Sequence, residues 1–343
     1  MIKVISFITP SAAGIYRVEQ IFKYLNRTKR FDCIISPHGV TDEVLMWADL
    51  VVIHELIDPE KIATVWAYQI ERGKKVIVDR DDMIAATKDH PYIKMHNMFN
   101  ASIWRRELLK IADHVTVTTK TIKEEVQKYN KNITILPNYL DMEVWNIPIV
   151  PNETDIVRIG WAGSVTHRAD IMIPLPAIKR ILKEFPKTKF VFCGDDFLFQ
   201  HLEDVNPMQY EYVLGTGDYY SWPNLEHTLI FDIGIAPLVD NPFNHGKSNL
   251  KFLEYGMIKA AGIYSPPAYT GTVRHGETGF IAKTPDEWYL YLKRLVTSSA
   301  TRKYIAENAY KYVRRNFSIK THIGRWEELY WSTIQDSSTK TRS

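Results

Sequence analysis

Twelve short runs rich in β-branched and aromatic residues recur along the chain, with helical patterns between most of them. The first six are KVISFI (3–8), DCIIS (32–36), LVVIH (50–54), KVIVD (75–79), HVTVTT (114–119) and ITILPN (133–138). Helices are expected between them over 14–26, 58–72 and 99–112. Parallel strands need a crossover long enough to hold a helix, so this alternation predicts a doubly wound parallel sheet. NIPIVPNETD (146–155), with two prolines among polar residues, interrupts the series and reads as a linker.

The pattern then restarts with VRIGWAG (157–163), KFVFCGD (189–195), YEYVLGT (210–216), FDIGIAPL (231–238), GIYSP (262–266) and GFIAK (279–283). Helices are expected over 171–185, 247–259 and 285–298, with a helical tail over 300–334. A chain of 343 residues exceeds one ordinary core. The expected organisation is an α/β chain of two Rossmann-like domains facing a cleft, 1–148 and 149–320, with a final helix at 321–335 crossing back to the first. Ligands of such sheets bind beyond the carboxyl ends of the strands, so the loops that follow each strand matter most.

Apolar residues make up 45% and charged residues 24% of the chain, as in ordinary soluble proteins. The net charge of +3 identifies no partner, but residues 300–343 carry nine Lys/Arg against four Asp/Glu. That excess suits a solvated helical face or an anionic partner. Cys33 and Cys193 stand apart in strand-like contexts and read as buried free thiols. The N-terminal apolar run is shorter than a signal peptide, and no window reaches the length of a membrane span. A cytoplasmic protein without an integral membrane segment is expected.

The most telling stretch is NPFNHGKSNLKFLEYGMIKAAGIYS (241–265). A helix over 247–259 would put Lys247, Lys251 and Glu254 on one narrow face beside the stripe Leu250, Leu253, Met257. Two lysines one turn apart repel each other. A diphosphate against them and the helix start would relieve that repulsion. Glu254, one turn deeper, suits a ribose diol; alternatively Lys251 and Glu254 simply pair on a surface helix. GWAGSVTHRAD (160–170) is a second anion-loop candidate, with Gly163 and Ser164 allowing close backbone approach and His167 and Arg168 adding charge. TPSAAGIYR (9–17), with Ala12, Ala13 and Gly14, is the matching loop of the first half.

These segments resemble the nucleotide-sugar domain of GT-B glycosyltransferases, in particular the retaining family 4 type. The resemblance is carried by IGWAGSVTHRAD, FVFCGDD, FDIGIAPLVDNPFNHGKSNLKFLEYGMIKAAGIYS and HGETGFIAKTPDEW. It continues more loosely in the first half through GIYRV, ADLVVIHE, VIVDRDD and ADHVTVTTKTIKEEV…ITILPNYLDMEVW. The resemblance implies a GT-B fold and sugar transfer from a nucleotide-diphosphate donor, a UDP-sugar, with retention, no cofactor and no bound metal. It implies that Glu254 holds the ribose and that Lys251 or Lys247 meets the diphosphate. Gly163 and Ser164 would cover the phosphates. Gly194, Asp195 and Asp196, with the loop containing Asp218 and Tyr219, would frame the base. Gly14, His167, Arg168, Asn244 and Ser248 complete the expected donor site.

Two departures stand out. Gly246 occupies the position where the family carries a sugar-contacting glutamate, leaving Asp240, Asn241 or Asn244 to take that part. Gly160-Trp161 and His167-Arg168 replace the usual Gly-Arg and lysine of the phosphate site. In the first half, Asp79, Asp81 and Asp82 of VDRDDM resemble the Asp-x-Asp metal motif of the other glycosyltransferase fold. They equally suit acceptor binding, polarisation of the acceptor hydroxyl, or helix capping. His54-Glu55 ends another strand and is a similar candidate. The expected acceptor is a cell-envelope or other cytoplasmically built glycan, or alternatively a hydroxymethylated base in DNA. A sugar-nucleotide epimerase or hydrolase, or a catalytically silent binding subunit, are the remaining readings.

Overall fold

The computed structural model describes residues 1–7, 12–36, 39–85, 92–216 and 220–336. Twelve strands form, each on one of the runs expected from the sequence. They are β1 (Ile2–Phe7), β2 (Phe31–Ile35), β3 (Leu50–His54), β4 (Lys75–Arg80), β5 (His114–Val117) and β6 (Ile133–Ile135), then β7 (Val157–Gly163), β8 (Thr188–Gly194), β9 (Tyr210–Val213), β10 (Ile233–Ala236), β11 (Ala261–Tyr264) and β12 (Phe280–Ile281). The chain divides into two units, one of Met1–Tyr139 with Ile319–Ser343, the other of Leu140–Ser318.

The first unit holds a six-stranded sheet in the order β2-β1-β3-β4-β5-β6, and every pairing is parallel. The order changes direction between β1 and β3. β3 is buried along its whole length, as a strand covered on both faces must be. Its core joins Ile5, Val51, Ile53, Val76, Val78 and Val115 to helix residues such as Leu108, Leu109 and Ile122. Asp58 caps the helix Pro59–Arg72, and Gly73, in the left-handed region at φ 62°, ends it.

The second sheet runs β12-β11-β10-β7-β8-β9, again wholly parallel. Within this unit that is the Rossmann strand order, with its switch point between β7 and β10. Ile159, Trp161, Phe190, Phe192, Ile233 and Ile263 form its core with Ile178, Ile181, Trp288 and Leu292 from the helices. Thr284 and Glu287 form a reciprocal capping box at the helix Pro285–Thr297.

Three local outcomes differ from the sequence reading. Gly14 lies buried in a helical turn, Ala12–Gly14, continued by a π-helical segment Ile15–Glu19; it is not a loop glycine, and residues 9–11 lie outside the described residues. The segment 140–148 belongs with the second unit, because Leu140 N donates to Phe317 O at 2.8 Å, Arg314 reaches Asn146 at 2.7 Å, and Trp145 is buried. The tail is broken at Phe317, after Ser299–Asn316, and resumes as Ile319–His322 and Gly324–Gln335 within the first unit. There Trp326 and Tyr330 are buried against Tyr139 and Phe31, and Arg325 donates to Ile135 O at 2.7 Å.

Arg17, carried by the π-helical segment, is 2% exposed and grips Asp79 of β4 with two bonds, Nε to Oδ1 at 2.9 Å and Nη2 to Oδ2 at 2.7 Å. Its Nη1 donates to Leu136 O and Asn138 Oδ1. Burial opposes the charge, but Asp79 outweighs it and holds the guanidinium above its ordinary value. Breaking such a pair strands one buried ion, at a cost of about 3–5 kcal/mol, whereas replacing both partners by apolar residues is near neutral. Asp79→Ala is therefore expected to destabilise the first unit by about 3–5 kcal/mol in urea unfolding, and Arg17→Met with Asp79→Leu to recover most of the loss.

Candidate functional site

At the switch point of the second unit, the loops leaving β7 and β10 are tied together by one carboxylate. Asp170, 4% exposed, accepts from Val239 N at 2.7 Å, Asn244 Nδ2 at 3.0 Å and, through its other oxygen, pairs with His167 Nδ1 at 2.8 Å. Asn244 also donates to Val239 O at 3.0 Å. The Asn244 amide and the His167 ring thus brace the loops from inside. Asp170 was not singled out in the sequence, although its position in THRAD offered it.

Beside this brace, β7 and β8 end side by side at Gly163 and Gly194. Gly194 has φ 108°, and a Cβ there would lie 2.5 Å from Gly163 O, so only glycine fits. Ser164 is exposed just beyond. Arg168 forms a two-bond pair with Asp195, at 2.6 and 3.0 Å, and lies over the Phe197 ring. Asp195 also caps the turn that follows β8 by accepting from Phe197 N. The bond to Asp195 raises the Arg168 pKa and lowers that of Asp195. Asp218 and Tyr219 lie outside the described residues.

The expected helix over 247–259 is shorter, Leu250–Met257, and follows a separate short helix Pro242–His245. Lys247 therefore precedes the helix and does not share a helical face with Lys251. A turn in which Lys247 N donates to Asn244 O carries it, with its ammonium 4.7 Å from the centre of the Phe243 ring. Ser248 is half-buried beside it, and Gly246 takes an ordinary right-handed φ of −80°.

Lys251 and Glu254 do share a face, and they meet. Nζ donates to Glu254 Oε2 at 2.6 Å, and Glu254 is 3% exposed, so this is not a free surface pair. The third member is Glu226, from the helix Trp222–Thr228, fully buried with Oε1 3.9 Å from the same ammonium. Neither Glu226 oxygen has a hydrogen-bond partner among the described residues. Burial, and then the Glu254 charge, push the Glu226 carboxyl well above its usual range. Burial works against the Lys251 charge, but Glu254 and Glu226 prevail and raise its pKa. Nζ also sits 4.8 Å from the Trp222 ring centre, a cation–π contact. Glu226 lies outside the motif, and nothing in its local sequence distinguishes it from a helix-surface glutamate.

The first unit gathers a second cluster at the ends of β3 and β4. His54 is 1% exposed, its Nε2 is 3.2 Å from Asp81 Oδ1, and its Nδ1 has no partner among the described residues. Glu55 follows in the left-handed region at φ 58°, an uncommon conformation for a side-chain-bearing residue. Arg80 and Arg105 both bond its carboxylate. His54, Glu55 and Asp81 have ligand atoms within 4.8 Å of one another, as a metal site would, but the two guanidinium groups already neutralise Glu55. Of the three aspartates in VDRDDM, Asp79 is taken by Arg17 and Asp81 faces His54. Asp82 lends its carbonyl to Arg80.

The fold that results is the GT-B fold. HepE of Anabaena, solved with UDP-glucose, superposes with a TM-score of 0.71 at 11% identity, over 97% of this chain and 100% of that one. Sucrose-phosphate synthase of Thermosynechococcus elongatus gives 0.70 at 11% identity, over 97% and 99%. A candidate UDP-N-acetylglucosamine 2-epimerase of Listeria monocytogenes gives 0.59 at 11% identity, over 98% and 97%. No protein-family model matches the chain, and no curated protein matches its sequence. Among the described residues no helix is long and apolar enough to cross a membrane. Cys33 and Cys193 are buried free thiols, pushed by burial up to about 12 and about 11.

The His54–Asp81 contact makes a titration prediction. Burial alone would lower the imidazole pKa, yet Asp81 raises it above the ordinary value, while His54 holds Asp81 below the usual carboxylate range. A histidine raised in the folded state stabilises the fold below its unfolded pKa and loses that contribution as pH rises through the folded one. Asp81→Asn is expected to move the His54 midpoint down past the ordinary histidine value, read by NMR of the imidazole.

Proposed function

We propose that the chain is a glycosyltransferase that moves a sugar from a nucleotide-diphosphate donor, a UDP-sugar, to an acceptor hydroxyl with retention of configuration. The observation that carries this reading is the Lys251–Glu254 pair, set on a buried helix after β10 of a GT-B sheet, where Rossmann topology collects ligand-binding loops. Glu254 takes the ribose diol. Lys251 and then Lys247 meet the diphosphate and stabilise the charge of the leaving group. The backbone at Gly163–Ser164 and at Gly194–Asp195 closes on the phosphates and base, with Ser248 and the His167–Asn244 brace holding the loops around them. Arg168, held by Asp195 at two points, ranks below the two lysines as a diphosphate cation. In the first unit, Asp81 is assigned to the acceptor hydroxyl and the buried His54 orients it. The acceptor proton passes to the leaving phosphate on the same face, so no enzyme nucleophile and no metal is needed. The acceptor is a glycan assembled in the cytoplasm, such as one destined for the cell envelope.

The test is a panel of nucleotide sugars assayed for release of nucleoside diphosphate with and without candidate glycan acceptors. Transfer predicts release that depends on acceptor; release without acceptor identifies a hydrolase, and interconversion of the sugar an epimerase. Lys251→Ala is expected to lower kcat/KM by about 10²–10³ through lost charge stabilisation. Glu254→Ala should weaken donor binding by roughly 10–100-fold, the worth of hydrogen bonds to a charged group. If neither substitution weakens donor binding, the site lies elsewhere.

A further inference from the structure

Glu226 is a carboxylate in a place where carboxylates are expensive. It is fully buried, both oxygens lack hydrogen-bond partners among the described residues, and the nearest cation, Lys251, is 3.9 Å away and committed to Glu254. An unpaired buried carboxyl normally costs stability, and a leucine of similar size would avoid that cost. The same ammonium therefore has two carboxylates within reach and is bonded to one.

We propose that Glu226 is a positioning residue that provides the second seat of the Lys251 ammonium, which turns to it when the ribose of a nucleotide donor takes the Glu254 carboxylate. This rests on the donor-site reading above. The ribose diol competes with Nζ for Glu254 Oε2. A movement of about 1 Å brings Nζ from 3.9 Å to hydrogen-bond distance of Glu226 Oε1. The lysine then stays charged and fixed beside the diphosphate, where a lysine without a second seat would swing freely on its four-carbon stem.

The charge balance follows from the groups that face Glu226. They are Lys251, Glu254 and Tyr255 from the helix Leu250–Met257, Tyr264 from β11 and Cys193 from β8. Tyr255, Tyr264 and Cys193 are all shifted upward by burial and stay neutral, leaving Lys251 as the one cation of the set. With Lys251 on Glu254, burial and the Glu254 charge favour the protonated Glu226. With Lys251 on Glu226, the ionised form is favoured, and its proton leaves to solvent. Donor binding is thus coupled to release of one proton, and affinity rises with pH across the titration of Glu226.

The experiment is calorimetric titration of UDP into wild type and Glu226→Gln, in buffers of different ionisation enthalpy across the neutral range, beside a thermal melt of each free protein. Protons exchanged by UDP itself are common to both proteins and cancel in the difference. The expected result is a Glu226→Gln protein that melts no lower than wild type, binds UDP about tenfold more weakly, and has lost the extra proton released by wild type. Glu226→Asp should restore the proton release, and it carries the test if the glutamine variant does not fold. Equal affinity and equal proton balance in wild type and variant would overturn the inference and leave the donor site standing. Weaker binding with an unchanged proton balance would also overturn it, as a structural effect only. A wild type that does not bind UDP would overturn the donor-site reading, and the inference with it.

Discussion

All ten strand pairings in the two sheets are parallel. That direction has a physical consequence. Each strand must return through a helix, so within a unit the segments leaving the carboxyl ends of the strands emerge together on one edge. In the second unit these are the turns after Gly163, Gly194 and Ala236; in the first, the turn after His54 and that after Arg80. The candidate residues are spread along the sequence, and parallel pairing brings them to the same edge of their sheet. The Rossmann order adds a switch point between β7 and β10, the place where such sheets bind ligands, and there Asp170 ties the two loops together.

An edge built this way collects charge, and charge within a protein must be matched. The structure meets that demand in three ways. Arg17 and Asp79 are matched with each other completely and serve the fold. Asp170 is matched with two N–H donors and an imidazole, and serves the shape of a loop. Lys251 is matched with Glu254, while Glu226 beside them lacks a hydrogen-bond partner among the described residues. Partial matching of buried charge costs stability and is concentrated at functional sites. In the first unit the His54–Asp81 contact, with an Nδ1 that has no partner among the described residues and the left-handed Glu55 beside it, has the same character.

Much of the fold was legible in the sequence because hydrophobic period and strand length are local properties. Each of the twelve runs became a strand, with ends moved by a few residues where a turn or cap set the limit. The Lys251–Glu254 spacing was legible for the same reason, since helical geometry fixes which side chains are neighbours. Lys247 was misplaced because Asn241 and Pro242 start a separate short helix, and the next begins only at Leu250. Gly14 was expected both in a loop and at the start of a helix over 14–26, and it lies in a helical turn, Ala12–Gly14, continued by the segment that carries Arg17 to Asp79.

By itself, then, the sequence determined two α/β halves, the parallel direction of their strands, and a lysine–glutamate face after the tenth strand. These follow from interactions between residues close in the chain. Only the tertiary structure decided which charges are committed and which are available. Arg168, expected to add charge to an anion loop, is held by Asp195, and Glu226, not singled out in the sequence, stands buried beside Lys251. The reason is that the state of a charge depends on burial and on partners brought from distant parts of the chain. Neither quantity exists until the sheets have formed.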